Sequence, residues 1–280
     1  MSEFLQALPD GRVFVDYGPT SMVITARRAG APCPELAEAA FPLIQSSLEE
    51  IAQALPILRQ YPKDGDFSAL EGLPRVMAEA VLSTGEPTLT PMAAVAGAVA
   101  DAVADWIFAR GADLVAVNNG GDVALRLAEG QQLRMGILPD LDGGGISRIV
   151  TLRAEDGVGG VCTSGQGGRS FTRGVASAVT VFSRRCALAD ACATHIANCS
   201  YIDSPRVRVC PAGELEPDSD IAELTVVAAV APLTGEEKAR AAAQAMAEAA
   251  RQHGRGNLLW CAADIQGFRM QWPEERFPEA

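Results

Sequence analysis

The chain has 280 residues, with 23 Lys and Arg against 35 Asp and Glu, a formal net charge of −12. At 48% hydrophobic, 21% charged and 5% aromatic, it reads as globular and not as a disordered, collagenous or coiled-coil chain. The acid surplus repels polyphosphate at long range, so nucleic acid is not an expected partner, whereas a small phosphorylated ligand held by a few local groups is.

No run approaches the roughly 20 uninterrupted apolar residues that cross a bilayer, since the most apolar helical stretch, 92–108, carries Asp101 and Asp105. The opening residues include Glu3 and lack a cationic segment before an apolar one, so they do not read as a secretory signal. Seven cysteines without paired spacing do not form the pattern of a disulfide scaffold. The expectation is a cytoplasmic protein with reduced thiols and no membrane partner.

In chain order, alternation at 12–16 and 21–26 around Tyr17-Gly18-Pro19 predicts a hairpin. Pro34 and Glu35 open a helix to about Arg59, with a kink expected at Pro42, and 73–82 gives another. A polar loop over 61–68 separates them. An alanine-rich helix spans 91–110, stopped by Gly111. Short β-like runs follow at 113–118, 122–127, 132–138, 147–152 and 178–182, then a second alanine-rich helix at about 187–200. The last third offers strands at 207–210 and 223–230, a helix at 234–253, and strands at 257–263 and 267–272. Strand runs joined by short turns, with a few long helices, predict an α+β fold.

Three stretches carry chemistry. Asn118-Asn119-Gly120-Gly121-Asp122 sits between two strands, and its glycines suit either a plain hairpin turn or close approach of backbone to a ligand. The segment 162–174 is rich in Gly and hydroxyls and holds Arg169 and Arg173; it reads as a phosphate cradle or as a mobile surface loop. It is neither a Walker A motif nor a Rossmann fingerprint. In the third, Asp190, Thr194 and Asn198 are spaced i, i+4, i+8 and share a helix face, where oxygen donors can hold a cation such as Mg²⁺. The same helix carries Cys192, His195 and Cys199 at i, i+3, i+7, a rival thiolate and imidazole set for a metal. Without a complete ligand set these three are expected to be structural.

Taken together and in order, these blocks resemble the ApbE superfamily, whose best-known members are FAD:protein FMN transferases that use Mg²⁺ and FAD. The resemblance rests on Ala93-Ala94-Val95-Ala96-Gly97-Ala98-Val99-Ala100-Asp101, on Asn118 to Asp122 (similar to an NxGGD turn) and on Thr163-Ser164-Gly165 (similar to a TSG turn). It continues through Ser177-Ala178-Val179-Thr180-Val181 and Ala189-Asp190-Ala191-Cys192-Ala193-Thr194, similar to SVTV and ADAxAT.

The resemblance implies an α+β, T-fold-related architecture in one domain over 1–280, with a helical subdomain at about 34–85. It implies Mg²⁺ on Asp190, Thr194 and a backbone carbonyl near Ala96, and flavin contacts at Asn119, Gly120, Gly121, Asp122, Thr163, Ser164 and Gly165. Asp190 is then the expected catalytic residue.

One block departs. Where transferases carry a His-x-Ile-Asp-Pro-like segment, this chain has 166–174 with neither His nor Asp-Pro, which points to a divergent branch. The implied function is an Mg²⁺-dependent flavin or nucleotide-binding protein with phosphoester (FMN) transfer or hydrolysis and an unnamed protein acceptor. The alternatives are a non-catalytic flavin or nucleotide carrier and a Cys/His metal-binding protein.

Overall fold

A computed structural model describes residues 3–140, 145–168 and 170–274. The first hairpin forms as β2 (Val13–Tyr17) and β3 (Thr20–Arg28), flanked by β1 (Leu5–Ala7) and β4 (Ala31–Pro32). The helix expected from Pro34 splits into α1 (Pro34–Ala39) and α2 (Phe41–Leu58). Pro42 lies in the first turn of α2, where a missing N–H forfeits no helical bond, so it opens a second helix in place of kinking one.

Next comes α3 (Gly72–Thr84), closed by left-handed Gly85. A 3₁₀ turn, Pro91–Ala94, leads into α4 (Val95–Phe108). Six strands follow: β5 (Leu114–Asn119), β6 (Asp122–Leu127), β7 (Gln132–Asp140), β8 (Gly145–Arg153), β9 (Gly160–Ser164) and β10 (Ala178–Ser183). The chain then runs through α5 (Cys186–Asn198), β11 (Val207–Pro211), the one-turn α6 (Ala212–Leu215) and β12 (Thr225–Val230). It ends with α7 (Gly235–Gly254), β13 (Trp260–Ile265) and β14 (Phe268–Trp272).

The strand β9 corrects the reading of 162–174 as one glycine-rich loop. Cys162, Thr163 and Ser164 are strand residues, and the loop begins only after Ser164.

Among the described residues the main sheet has ten strands in the order β1-β2-β3-β5-β6-β9-β10-β13-β14, with β4 beside β3. Every pairing in it is antiparallel, as the α+β expectation required. β7 and β8 form a separate hairpin, as do β11 and β12.

The two faces of the sheet bury different clusters. Met22, Ile24, Val115, Val117, Ala124, Cys162, Val179 and Val181 pack in one core with Ile44, Met77, Val99, Val103 and Ile196 of the helices. Val123, Leu125, Val161, Ala178, Phe182 and Trp260 turn the other way, against Ile137, Val150 and Leu152 of the β7–β8 hairpin. Period-two alternation along β6 thus sends Val123 to the hairpin and Asp122, Ala124 and Arg126 to the helices.

Pro91–Phe108 is long and apolar enough by composition to span a membrane, yet here it is core. Asp101 within it is buried, 2.7 Å from Arg126 Nη2, and accepts the Ala187 N–H at 3.0 Å. It therefore caps the start of α5. The two helices cross tightly at Gly97, where a Cβ would lie 2.4 Å from the Cys186 carbonyl oxygen. That approach sets Asp190 of α5 against the first turn of α4.

Candidate functional site

The site forms where the ends of β5, β6 and β9 meet the first turn of α4 and the middle of α5. The β5–β6 connection is a two-residue turn, Gly120 and Gly121, with φ of +69° and +116°. Glycine is needed at both, because a side chain is strained there. Asn118 Oδ1 accepts the Gly121 N–H at 2.9 Å and steadies the turn. Asn119, on the helix side, donates from Nδ2 to the Ala96 carbonyl at 3.1 Å, so it positions that carbonyl. A carbonyl oxygen has a second lone pair, which stays available.

Asp190 Oδ2 accepts the Gly97 N–H at 2.9 Å. Burial, reinforced by the charge of Asp122, pushes its carboxyl well above the ordinary carboxylate range, against the opposing pull of the Gly97 and Ala96 backbone. Burial likewise raises Asp122 to about 6, opposed by the Cys162 thiol and the Thr163 backbone. Among the described residues neither acid has a cationic side chain paired with it. Loss of hydration is the main cause of both shifts, and for Asp190 the neighbouring Asp122 charge adds to it.

Three clefts run together here, and the acid pair lines two of them. The largest, about 630 Å³, lies between the sheet and the β7–β8 hairpin, with Val23, Val123 and Val161 facing Leu133, Met135 and Ile137. A middle cleft of about 240 Å³ shares Gly120, Thr163, Ser164 and Gly168 with it. The third, about 380 Å³, shares Ala96, Asp122, Ser170, Asp190 and Thr194 with the middle one. It continues past Phe171 and Arg173 to Thr88, Thr90 and Asp220. The carboxylates therefore sit at the centre of one elongated depression.

Of the residues singled out in the sequence, Ala96, Asn119, Gly120, Asp122, Thr163, Ser164, Gly165, Asp190 and Thr194 all line the middle cleft. Gly121 lines the largest and Arg173 the third. Thr163 Oγ1 is 2.8 Å from Thr180 Oγ1, on the hairpin face. Arg169 lies outside the described residues. Asn198, third on the oxygen stripe, is taken up structurally: its Oδ1 accepts the Arg173 N–H at 2.8 Å. The Arg173 guanidinium donates from Nη1 to Thr88 Oγ1 at 2.8 Å.

The sequence profile of the family described as "AbpE bacteria" matches residues 5–269. The chain belongs to that family. Its departure at 166–174 sets it on a divergent, ApbE-like branch. Among curated relatives, the UPF0280 protein MK0206 of Methanopyrus kandleri is 40% identical over 56% of this chain and 64% of its own length. The UPF0280 protein of Methanospirillum hungatei is 32% identical over 56% of the chain and 66% of its own length. The chain thus matches a little under two thirds of these relatives. Among solved structures, a mutant of the flavin transferase ApbE from Vibrio cholerae aligns over 95% of this chain and 98% of its own, at 14% identity and a TM-score of 0.46.

For this family member, the sequence missed the outer walls of the depression. Leu133, Met135 and Ile137 alternate as any half-buried strand does, and Thr88, Thr90 and Asp220 carry no motif. Only tertiary contact makes them part of the site.

Proposed function

We propose that the joined clefts bind a flavin dinucleotide of the FAD type with a Mg²⁺-class cation, and that the protein acts on the pyrophosphate by phosphoester transfer or hydrolysis. The carboxylate pair Asp122 and Asp190 carries this reading. Buried acid without counter-charge opposes folding, and a divalent ion with hard oxygen ligands relieves it. Asp190, the Thr194 hydroxyl and the Ala96 carbonyl, which Asn119 holds in place, would bind that ion, with Asp122 lining the same cleft. Bound there, it would neutralise pyrophosphate charge and stabilise charge developing in an in-line displacement.

The chain's own groups supply the remainder. Gly120 and Gly121 let backbone approach a phosphate closely. The apolar walls of the largest cleft suit a flat ring system. Arg173, tethered to Thr88, offers charge-assisted hydrogen bonds to an anionic group in the third cleft. Seven free thiols accord with a reducing, cytoplasmic compartment.

Binding is tested by calorimetric titration of FAD and ADP with and without Mg²⁺. We expect Mg²⁺-dependent affinity that Asp190→Ala abolishes in a folded protein. Unchanged affinity in that variant overturns the assignment.

The second reading, a non-catalytic carrier, has one observation in its favour. Among the described residues, no histidine lines any of the three clefts, so no imidazole stands ready to activate an acceptor hydroxyl. We therefore expect weak or no FMN transfer to an acceptor peptide. In-gel flavin fluorescence after incubation with FAD and Mg²⁺ decides it, and strong Asp190-dependent labelling establishes a transferase.

A further inference from the structure

The opposite side of α5 gathers a second set of metal-ligand atoms, chemically unlike the first. His195 and Cys199 are spaced i, i+4, so they stand one above the other on the last turn of the helix. α7 brings Glu248 to them. One ligand atom each from His195, Cys199 and Glu248 lie within 4.8 Å of one another, with His195 and Glu248 buried and Cys199 half-buried. Cys192, on the same helix face, is not part of this set.

We propose that His195, Cys199 and Glu248 form a binding site for a zinc-class divalent ion, separate from the carboxylate site. Three features beyond proximity support it. His195 Nε2 lies 3.0 Å from Glu248 Oε1, a hydrogen-bond contact that need open only to about 3.4 Å for the two atoms to share a tetrahedral ion with bonds of about 2.0–2.2 Å. The other ring nitrogen, Nδ1, faces Glu86 Oε2 at 3.7 Å, longer than a hydrogen bond but on the side from which an outer carboxylate orients a metal-bound imidazole. The second carboxylate oxygen of Glu248 is held by Arg251, through Nε at 2.7 Å and Nη2 at 2.5 Å, while Oε1, which accepts from Gln252 Nε2 at 2.8 Å, keeps a further lone pair towards the ring.

One nitrogen, one sulfur and one carboxylate oxygen make a mixed donor set that suits zinc and cobalt and does not suit Mg²⁺. Water would complete a tetrahedron. Binding requires the thiolate of Cys199 and a free lone pair on Nε2, so the thiol proton and any proton on Nε2 pass to solvent.

The ion would tie α5 to α7 near the turn after α3. Glu86 Oε1 accepts from both Thr88 N–H, at 3.0 Å, and Thr88 Oγ1, at 2.5 Å, and Thr88 in turn holds Arg173 at the third cleft. The zinc site thus backs the wall that presents Arg173.

The full chain, stripped with a chelator, is titrated with Co²⁺ and its near-ultraviolet thiolate-to-cobalt absorption recorded. Bound zinc is then counted by elemental analysis after exchange. We expect about one ion per chain, the charge-transfer band, and no displacement by millimolar Mg²⁺. Cys199→Ser abolishes the band, and His195→Gln weakens binding at least tenfold, whereas Cys192→Ser retains both band and stoichiometry.

Absence of the band in the unaltered chain overturns the proposal, as does a band that survives Cys199→Ser or is lost with Cys192→Ser. The wild-type spectrum decides even if a variant fails to fold. Asp190→Ala, which tests the flavin reading, leaves the band intact, so the two ideas fail separately.

Discussion

Along α5, Asp190 and Thr194 look into the joined clefts, while His195 and Cys199 look towards α7. Both sides take acid out of bulk water, half-buried Asp122 and Asp190 at the clefts and buried Glu248 against α7, and they treat it differently. Burial should raise Glu248 as it raises Asp190. Instead hydrogen bonds from Gln252 and Arg251, together with the His195 ring, hold it below the ordinary glutamate range. Asp122 and Asp190 have no cationic partner among the described residues, only backbone N–H groups and the Cys162 thiol, and the Asp122 charge adds to the cost of ionising Asp190. The two sides of α5 therefore face different acids: Glu248 of α7, compensated by its neighbours, and the pair of Asp190 with Asp122 of β6, uncompensated, which a cation would neutralise. Burial alone does not single out a candidate site acid, whereas burial without counter-charge nominates one.

Removing the compensated acid is the severest way to break this contrast. Glu248→Ala leaves His195 and Arg251 without their buried partner, and we expect a loss of about 3–5 kcal/mol in metal-free protein, read from urea melts. Asp190→Ala should do the reverse. Metal-free stability stays level or rises, while Mg²⁺-dependent nucleotide affinity falls at least tenfold by calorimetry. A destabilisation matching that of Glu248→Ala would show that Asp190 is structural and erase the distinction.

Arg173→Ala tests the cation in the third cleft. We expect ligand binding to weaken by roughly 1.5–3 kcal/mol, against about 0–1 kcal/mol for a merely exposed arginine. Titrations of FAD, ADP and small dicarboxylates into this variant separate the two outcomes.

The smallest effect is in pH. Asp122 binds its proton more tightly folded than unfolded, so its contribution is present at low pH and fades as pH rises from about 3.8 through about 6. Glu248, depressed in the fold, contributes stability above its ordinary value of 4.5 and loses it as pH falls through its lowered one. Urea melts from about pH 2 to 7 should show the decline flattened in Asp122→Asn and the low-pH loss flattened in Glu248→Gln. Identical profiles for the two variants would contradict the opposite signs.

Much of this was legible in the residues. Hydrophobic period placed the helices and most strands within a few positions, and the i, i+4 spacing of Asp190 and Thr194 put them on one helix face. The order of the NxGGD-like, TSG-like and ADAxAT-like blocks pointed to the family. The reading failed where small residues hide their state. Gly160–Ser164 has glycine on its flank and two hydroxyls, so it read as loop, yet between β6 and β10 it is a central strand.

What the sequence determined by itself is local: which residues share a face, where turns fall, and that Gly120 and Gly121 must be glycine-like. What only the tertiary structure decided is which faces meet. The tight crossing at Gly97 set Asp190 on the first turn of α4 and within reach of Asp122. Packing of α7 against α5 gave His195 and Cys199 a carboxylate from 49 or more positions away. Periodicity fixes orientation about an axis, and it carries no information about the partner that the orientation will find.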